Sequence, residues 1–258
     1  MNGATTFNWP FRRKASLIHL AASLTLATIL AAVIFALWFP GAYRSMSGGS
    51  ELFALIVSVD VAIGPLITLA IADSRKTRRH LGFDIAVVVA CQLVALGYGL
   101  RTLSIARPVV LALEQDRFRV VAALDVYRPE LPASAPEYRR LSLTGPRLLR
   151  SLVPTDPKGK SDALKIAMHG YDVGSRPALW RPWDAAARAE ALAHARPLAT
   201  LMRRYQARQA EFAAPVAATG KSADQLVYLP MVTFRGDWVA LLDASAGNVV
   251  GYAPFDGF

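Results

Sequence analysis

Three apolar stretches, 15–39, 52–72 and 81–100, alternate with short polar loops near the start of the chain, and each carries at most one charged side chain. A helix in a water-soluble core is usually shorter and keeps a polar face. About 20 apolar residues cross a hydrocarbon core of roughly 30 Å. We therefore predict a membrane protein with three N-terminal transmembrane α-helices, over about 15–39, 51–72 and 81–105.

The first apolar stretch differs from a cleavable signal peptide. Residues 11–14 (FRRK) resemble the basic start of such a peptide. However, the apolar stretch behind them exceeds the about 7–15 residues that signal peptides use. No clear Ala-x-Ala cleavage site follows it before Pro40. We therefore expect the first helix to be retained.

Basic residues are divided unevenly among the loops. Segment 1–14 has three and the second loop, 73–80, has four, whereas the first loop, 40–50, has only Arg44. Because basic loops stay in the cytoplasm, we expect the N-terminus and the second loop there and residues 107–258 on the opposite, outer side. An aromatic belt at the outer membrane face is then expected from Trp38, Phe39 and Tyr43.

From residue 107 onward the apolar stretches become short and are bounded by turn residues. Enrichment in Val, Leu and Phe favours strands at about 108–114 and 117–124, joined by Gln115-Asp116. Strands at the two ends of a domain often pair, so we expect an exported α+β domain over 107–258 with its end strands in contact. The C-terminal part favours a β-meander with strands near 226–234, 237–243 and 248–253.

The middle of this domain has patterns that favour helices. PRLLRSL (146–152) and SDALKIAMHG (161–170) are the best short candidates. An Ala- and Arg-rich run predicts a long helix between the end strands, roughly 184–213, with Asp184 suited to its N-terminus. Pro197 lies inside this run, so a kink or a division into two helices is expected there.

The overall charge is basic, with 29 Lys and Arg against 19 Asp and Glu. A basic balance can indicate nucleic-acid binding. Much of the excess here flanks the apolar stretches, and the remainder is spread without a basic run. We therefore expect no nucleic-acid partner, and we expect contact with the lipid bilayer and its headgroups. The one cysteine, Cys91, lies in the third apolar stretch, so the exported domain has no disulfide.

Patterns typical of catalysis, cofactors and metals do not occur in this sequence. The four histidines do not have metal-site spacing, and no cysteine pair exists. Neither a G-x-S-x-G motif nor a complete phosphate-binding loop is present. An intramembrane aspartyl protease would need Asp60 beside Asp84, but regular helices place them more than about 10 Å apart in height. We expect no enzymatic activity, no catalytic residues, no metal and no cofactor.

A polar layer is predicted near the middle of the three helices. Asp60 and Gln92 lie at similar depths when they are counted from the cytoplasmic ends, and so does Thr25 or Thr28. Carboxylates within a membrane are costly and usually face a bundle interior or a partner. The layer therefore either holds the three helices together or contacts a membrane helix of another protein.

Two residues beside the carboxylate extend this candidate site. Gly64 permits close approach of another helix. Pro65 has no backbone N–H, which frees the carbonyl near Val61 for a neighbouring or partner helix. At a shallower level, His19 and Asp84 are expected to pair.

Four segments together resemble a known family. They are RKASLIHLAASL (13–24), GGSELFALIVSVDVAIGPLITL (48–69), FDIAVVVACQLVALGYGLRTLSIARPVVLALEQDRFRVV (83–121) and YLPMVTFRGDWVALLDASAGNVVGY (228–252). The combination is similar to the TfpX/TfpZ family of type IV pilin accessory proteins. The resemblance is most specific over 48–121 and weakest over about 130–220.

This resemblance implies a bacterial inner-membrane protein whose exported domain is periplasmic. It implies a non-enzymatic, chaperone-like accessory role that assists a cognate type IV major pilin before pilus assembly, through the pilin's membrane helix, its globular head or both. No catalytic residues come with the family. The alternative is an envelope sensor or regulatory membrane subunit with a periplasmic ligand- or protein-binding domain. Its cytoplasmic effector would bind near residues 75–80, and the shortness of that loop disfavours it.

Overall fold

The computed structural model describes residues 8–73 and 75–258. Residues 1–7 of the expected cytoplasmic segment and Ser74 of the second loop lie outside the described residues. The described chain divides into two compact units. The first comprises the residues up to Ala36 together with Gly49–Ser104, and the second comprises Leu37–Gly48 together with Ile105–Phe258.

Long helices dominate the first unit. Within the described residues, three helices of 30, 23 and 29 residues are long and apolar enough to cross a membrane. The prediction of three long apolar helices is therefore confirmed. Their bounds, with a short helix of the second unit between them, are α1 (Trp9–Val33, continued by a π-helical turn Ile34–Trp38), α2 (Tyr43–Met46), α3 (Gly49–Ile71) and α4 (Arg78–Ala106).

Helix α1 begins about two turns earlier than its apolar stretch. The side chain of Asn8 accepts a hydrogen bond from the backbone N–H of Phe11, at 3.4 Å. Pro10 lies in the first turn, where its missing N–H costs nothing. Capping residues thus extend the helix through a basic segment that hydropathy alone assigns to a loop.

Helices α1 and α3 pack together through polar as well as apolar contacts. The Ser16 hydroxyl donates to the backbone carbonyl of Pro65 at 2.9 Å. The guanidinium of Arg12 donates to the carbonyl of Ala70 at 2.7 Å, in the last turn of α3. The last carbonyls of a helix have no partners within it, so a basic side chain there stabilises the helix end.

One mixed sheet forms the second unit. Within the described part of the chain it has eight strands, in the order β4-β3-β1-β2-β6-β7-β8, with β5 beside β6. The strands are β1 (Pro108–Glu114), β2 (Arg117–Ala122), β3 (Arg147–Ser151), β4 (Trp180–Pro182), β5 (Arg196–Pro197), β6 (Leu226–Val232), β7 (Trp238–Asp243) and β8 (Val249–Ala253). The remaining α-helices are α5 (Pro157–Ala167), α6 (Ala185–His194), α7 (Leu198–Arg204) and α8 (Ala213–Ala218). Short 3-10 helices occupy Arg128–Glu130, Pro136–Tyr138, Val173–Ser175, Pro177–Leu179, Gln206–Phe212 and Ala223–Gln225.

The predicted strands at both ends of the domain are present. Strands β1 and β2 form an antiparallel hairpin whose turn includes Gln115 at a φ of 60°. Strands β6, β7 and β8 form the expected meander. The two ends also pair as expected, because Phe118 of β2 lies opposite Met231 of β6 in parallel register. The α+β class is therefore confirmed.

For the middle of the domain, the helix predicted over 146–152 is wrong, whereas the run predicted over 184–213 divides at Pro197 as expected but into more pieces than two helices. The segment 146–152 contains a strand, β3, which pairs with β1 in parallel and with β4 in antiparallel fashion. The long helix over 184–213 is divided into α6, α7, a 3-10 helix and the beginning of α8. Pro197 is the cause of the first division, since its ring forces the preceding Arg196 into extended backbone. Both residues then pair with the edge of β6.

Two other expectations for this region are met. Asp184 caps α6 by accepting from the N–H of Ala187 at 2.8 Å. The predicted short helix over 161–170 corresponds to most of α5.

The loop between α1 and α3 supplies side chains to the core of the second unit. Tyr43 and Met46 are buried in the same apolar cluster as Phe118 and Leu229. The Tyr43 hydroxyl lies 2.6 Å from that of Tyr252 on β8.

Phe39 and Tyr43 are therefore not available for the predicted aromatic belt. Their side chains are buried in protein, and that expectation is wrong for both residues.

Candidate functional site

The centre of the candidate site is a contact between α3 and α4. The side-chain amide of Gln92 donates to the Oδ1 of Asp60 at 3.1 Å and to the backbone carbonyl of Asp60 at 3.0 Å. Depth counting places these two residues at one level, and the structure places them in direct hydrogen-bond contact. Both side chains remain partly accessible.

Gly64 makes room for this contact. It is buried one turn after Asp60, and a Cβ at this position would overlap the Gln92 amide, with its Cδ at 2.7 Å and its Oε1 at 2.9 Å. Any larger residue at position 64 must displace the amide. Glycine is therefore required here for close approach between side chain and backbone rather than for an unusual backbone angle.

Pro65 lies next to Gly64 inside α3 and is also buried. Its ring nitrogen has no hydrogen, so the regular helical bond to the carbonyl of Val61 cannot form. The adjacent carbonyl of Asp60 accepts the Gln92 amide, and the carbonyl of Pro65 itself accepts the Ser16 hydroxyl. Side chains of both neighbouring helices thus satisfy backbone carbonyls of α3 around its proline.

The threonines of α1 are placed differently from the other members of the predicted layer. Thr25 donates to the carbonyl of Ala21 and Thr28 to that of Leu24, each at 2.8 Å within its own helix. Both side chains are exposed. The structure therefore does not bring these hydroxyls to Asp60 or Gln92.

Other polar residues of α1 lie near Asp60 and Gln92. His19 and buried Ser23 line a cavity of about 160 Å³ together with Asp60 and Gln92. The Nδ1 of His19 lies 2.6 Å from the Oγ1 of Thr68 on α3. Spacing along α1 was a usable signal, because Ser16, His19 and Ser23 recur three and four residues apart and share one helix face.

The expected pair of His19 with Asp84 is wrong. The Asp84 carboxylate accepts a hydrogen bond from the Nζ of Lys76 at 2.6 Å. Lys76 precedes α4 and reaches a carboxylate in the second turn of that helix. A flexible lysine in the connecting loop offers this carboxylate a closer cation than a histidine on α1 does.

An apolar groove runs between α3 and α4, with Asp60 and Gln92 in its wall. Its volume is about 610 Å³, and most of its lining atoms are apolar. Gly99 lets Ile56 approach closely, since a Cβ on Gly99 would lie 2.7 Å from the Ile56 Cγ2. The apolar lining consists chiefly of Leu52, Leu55, Ile56, Val59, Ile63, Ile67, Val87, Val88, Ala95 and Leu96.

The second unit contains an ion cluster around the buried carboxylate of Glu114. The Glu114 carboxylate is 3% exposed and accepts from the Nε of Arg119 at 2.8 Å, the Nε of Arg117 at 3.2 Å and the backbone N–H of Gly174 at 2.8 Å. Arg119 also pairs with Asp172 at 2.6 Å. These contacts fasten the β1–β2 hairpin to the 3-10 segment near residue 174, which is a structural role.

Two further titratable sites of this unit have shifted pKa values. Burial raises the pKa of the Tyr43 hydroxyl, and the neighbouring Tyr252 raises it further. At the end of β7, hydrogen bonds from the Lys221 ammonium and from Ser245 hold the pKa of the Asp243 carboxyl well below its usual range. Neither pair lines the groove, and both belong to the packing of the sheet unit.

Metal chemistry finds no support in the described residues. Within residues 8–73 and 75–258, no three His, Cys, Asp or Glu side chains are grouped so that they could hold a metal ion. The groove offers mainly apolar side chains, and its polar groups are the carboxyl group of Asp60, the carboxamide of Gln92, the Cys91 thiol and the hydroxyls of Tyr98 and Thr102. In a membrane, such a surface suits contact with an apolar helix that brings a polar group to the level of Asp60.

Comparisons with known proteins point to one family. Residues 7–48 match the family model of the fimbrial assembly protein FimB. Two curated proteins of Dichelobacter nodosus match over 250 residues, which is 96% of this chain and 96% of each relative. They are the fimbrial assembly proteins of serogroup I, at 30% identity, and of serogroup E1, at 29% identity.

A shorter relative from the same organism also matches. The fimbrial assembly protein of serogroups C1 and C2 is 37% identical over 122 residues, which is 47% of this chain and 93% of that protein. No solved structure matches the chain significantly.

Proposed function

Because this chain belongs to the family of fimbrial assembly proteins, we propose that it is a non-enzymatic accessory protein of the bacterial inner membrane. In this role it assists a type IV major pilin before the pilus is assembled, in the manner of a chaperone. The single observation that carries the proposal is the apolar groove between α3 and α4 with the Asp60–Gln92 contact in its wall.

The proposed orientation has the N-terminus and the loop before α4 in the cytoplasm. The three helices cross the membrane, and the sheet unit lies in the periplasm. Its support is the distribution of basic residues, with four in the loop 73–80 and one in the loop 40–50. A pilin that waits in the inner membrane has an apolar helix in the lipid and a head outside, so its helper needs a surface at both levels.

The groove is proposed to receive the membrane helix of the pilin. Lipid tails are as apolar as leucine, so apolar burial alone gives helices little reason to associate. Close packing and polar contacts decide instead, and side-chain hydrogen bonds in membranes contribute about 0.6 kcal/mol on average. Asp60 and Gln92 supply the polar contact, while the apolar walls of the groove supply the packing surface.

Crosslinking can test this placement with closely matched positions. Leu55 and Leu66 lie on the same helix, α3, and both are 63% exposed, but only Leu55 lines the groove. A photoreactive residue at position 55 should yield an adduct with the major pilin in intact cells, whereas one at position 66 should not. Equal yields at the two positions, or no adduct at position 55, would show that the groove is not the pilin site.

The assembly role itself is tested by deletion and by two substitutions. Deletion should lower the number of surface pili. Asp60→Leu or Gln92→Leu should lower both pilin recovery and surface pili at normal protein level, because each removes a polar contact of the groove. Normal piliation of the deletion strain would contradict the assembly role. Loss of function in Asp60→Asn with normal protein level and pilin binding would instead favour a chemical role for this carboxyl group.

A further inference from the structure

The turn between β6 and β7, residues 234–237, is an exposed hairpin tip of unusual composition. Phe234 is 79% exposed and stands beside the exposed side chain of Arg235. The Thr233 hydroxyl donates to the carbonyl of Gly236 at 2.8 Å, and the indole of Trp238 donates to that of Arg235 at 3.1 Å. The tip is therefore held in one shape while its largest apolar side chain faces outward.

The hairpin tip is anchored to the loop that leads into α3. The backbone N–H of Arg235 donates to the carbonyl of Met46 at 2.9 Å. A Cβ built on Gly48 would lie 3.0 Å from the Nε of Arg235 and 3.4 Å from the Cδ1 of Phe234. Gly48 directly precedes Gly49, the first residue of α3. Both side chains therefore lie next to Gly48, the residue directly before the start of α3.

The beginning of α3 corresponds to the lipid headgroup level if this helix spans the membrane, as proposed above. Its 23 residues extend about 34 Å at 1.5 Å per residue, slightly more than a hydrocarbon core of roughly 30 Å. An apolar phenylalanine ring can enter the boundary between headgroups and acyl chains, and a long arginine side chain can keep its charged head among the headgroups. The exposed Phe234-Arg235 pair, which lies next to the residue before such a helix, therefore suits the membrane surface.

A cavity of about 370 Å³ adjoins the hairpin tip and carries balanced charge. The charged residues in its wall are two arginines, Arg208 and Arg235, and two aspartates, Asp237 and Asp256. Arg208 is paired with Glu211 at 2.7 Å, whereas in the described part of the chain no ion pair forms to Arg235. An open guanidinium next to a carboxylate matches a ligand that carries both a phosphate and an ammonium group.

We propose that the hairpin tip is a phospholipid-binding site of the sheet unit. Phe234 enters the boundary between headgroups and acyl chains, and the guanidinium of Arg235 holds the phosphate of a zwitterionic headgroup, whose ammonium group faces Asp237. The inference rests on the proposed membrane location but not on any contact with pilin. It gives the sheet unit a point of contact with the membrane surface.

Lipid-quenching measurements on the full chain test the site. In a Cys91→Ser background, the variants Phe234→Cys, Met168→Cys and Leu66→Cys each receive an environment-sensitive fluorophore, and the protein is placed in nanodiscs containing a quencher attached to lipid. Met168, which is 80% exposed on the sheet unit, is the matched control outside the site, and Leu66 on α3 reports the membrane location itself. Quenching at positions 234 and 66, but not at 168, is expected.

Each other result has a defined meaning. If the label at 66 is quenched and the label at 234 behaves like the one at 168, the lipid site is wrong while the membrane location stands. If the label at 66 is not quenched, both are wrong. If the label at 234 changes its environment only when pilin is added, the tip binds protein and the lipid site is again wrong.

A second measurement isolates the phosphate contact. Native mass spectrometry of the full chain should show that Arg235→Gln weakens the retention of phosphatidylethanolamine about tenfold, the lower range of a hydrogen bond to a charged group. Arg203→Gln, which changes another exposed arginine outside this cavity, should leave retention unchanged. Equal retention in the Arg235→Gln variant and the unchanged protein would overturn the assignment of the phosphate to Arg235.

Discussion

Replacing Gly64 by Ala should break the Gln92–Asp60 contact while leaving the helices folded. An added Cβ overlaps the Gln92 amide, which is the far end of a flexible side chain and can swing away. Both hydrogen bonds of that amide to Asp60 are then lost. At about 0.6 kcal/mol for each side-chain hydrogen bond between membrane helices, the loss is about 1.2 kcal/mol.

A gain in helix propensity opposes this loss. Alanine is favoured over glycine by about 0.5–1 kcal/mol in a helix interior. Gly64→Ala should therefore change the free energy of unfolding by less than about 1 kcal/mol. Gly97→Ala in α4 is the matched control, because a Cβ there meets no described atom within 4 Å. Gly97→Ala should keep the full gain in helix propensity. Its free energy of unfolding should therefore exceed that of Gly64→Ala by about 1.2 kcal/mol.

Unfolding of the purified full chain in mixed micelles of detergent and denaturing surfactant measures this difference. The same comparison in a Gln92→Ala background isolates the mechanism, since no amide remains to be displaced. There, Gly64→Ala and Gly97→Ala should stabilise the protein equally. Equal effects of the two alanine substitutions already in the unchanged background would refute the close contact between Gly64 and Gln92.

Three further predictions concern the sheet unit and are measured on the full chain in detergent. Tyr43→Phe or Tyr252→Phe alone leaves a buried hydroxyl without its partner and should lower the free energy of unfolding by about 1–3 kcal/mol. The double variant should cost less than the sum of the two, and a fully additive cost would argue against their hydrogen bond. Glu114→Ala leaves the buried backbone N–H of Gly174 without its acceptor and removes the carboxylate that Arg117 and Arg119 share, so it should lower the free energy of unfolding by about 1–3 kcal/mol in chemical denaturation. An unchanged free energy of unfolding would contradict these contacts. The lowered pKa of Asp243 means that its carboxylate adds stability above the ordinary value of about 3.9, and this contribution is lost as the pH falls further toward the folded-state pKa. Asp243→Asn should therefore flatten the fall of Tm in acid, as Lys221→Met should, and an unchanged acid profile in both variants would disprove this linkage.

Turn chemistry and burial explain why the ends of the sheet unit were predictable. Strand β1 is apolar from Pro108 to Leu113 and buried along its whole length, and Gln115-Asp116 follows it with a tight turn. Strand β3 has no comparable pattern. Its Leu148-Leu149 pair and flanking arginines suit one helix turn as well as they suit a strand, and pairing with β1 decides between them.

The division of the predicted helix at Pro197 shows a second limit of prediction from sequence. A proline inside a helical run predicts a break, but not what the freed backbone will do. Here Arg196 and Pro197 pair with Tyr228 and Val227 of β6, which is distant in sequence. Such a partner follows from the assembled sheet and not from the local pattern.

The depth of the candidate-site residues along their helices was predictable, but the side of the helix on which each residue faces was not. Counting residues along regular helices gives height, so the level shared by Asp60 and Gln92 follows from the sequence alone. Rotation about the axis depends on which face of α1 packs against α3. The structure turns Thr25 outward and Ser23 inward, and only the recurrence of polar residues at helical spacing carried that information.

The segment that carries Tyr43 and Met46 couples the insertion of the first helix to the folding of the sheet unit. These side chains are made early, between the first and second long helices, yet they complete the core of a sheet whose last strand, β8, is made 200 residues later. A fragment that began at residue 105 would lack both side chains and would have a hole in its centre. In the proposed topology, the sheet can close only after the first helix has been threaded in the correct direction and has delivered this segment to the outer side. In that topology, folding of the sheet unit depends on correct membrane insertion. A wrongly inserted chain would have a sheet core that lacks these two side chains.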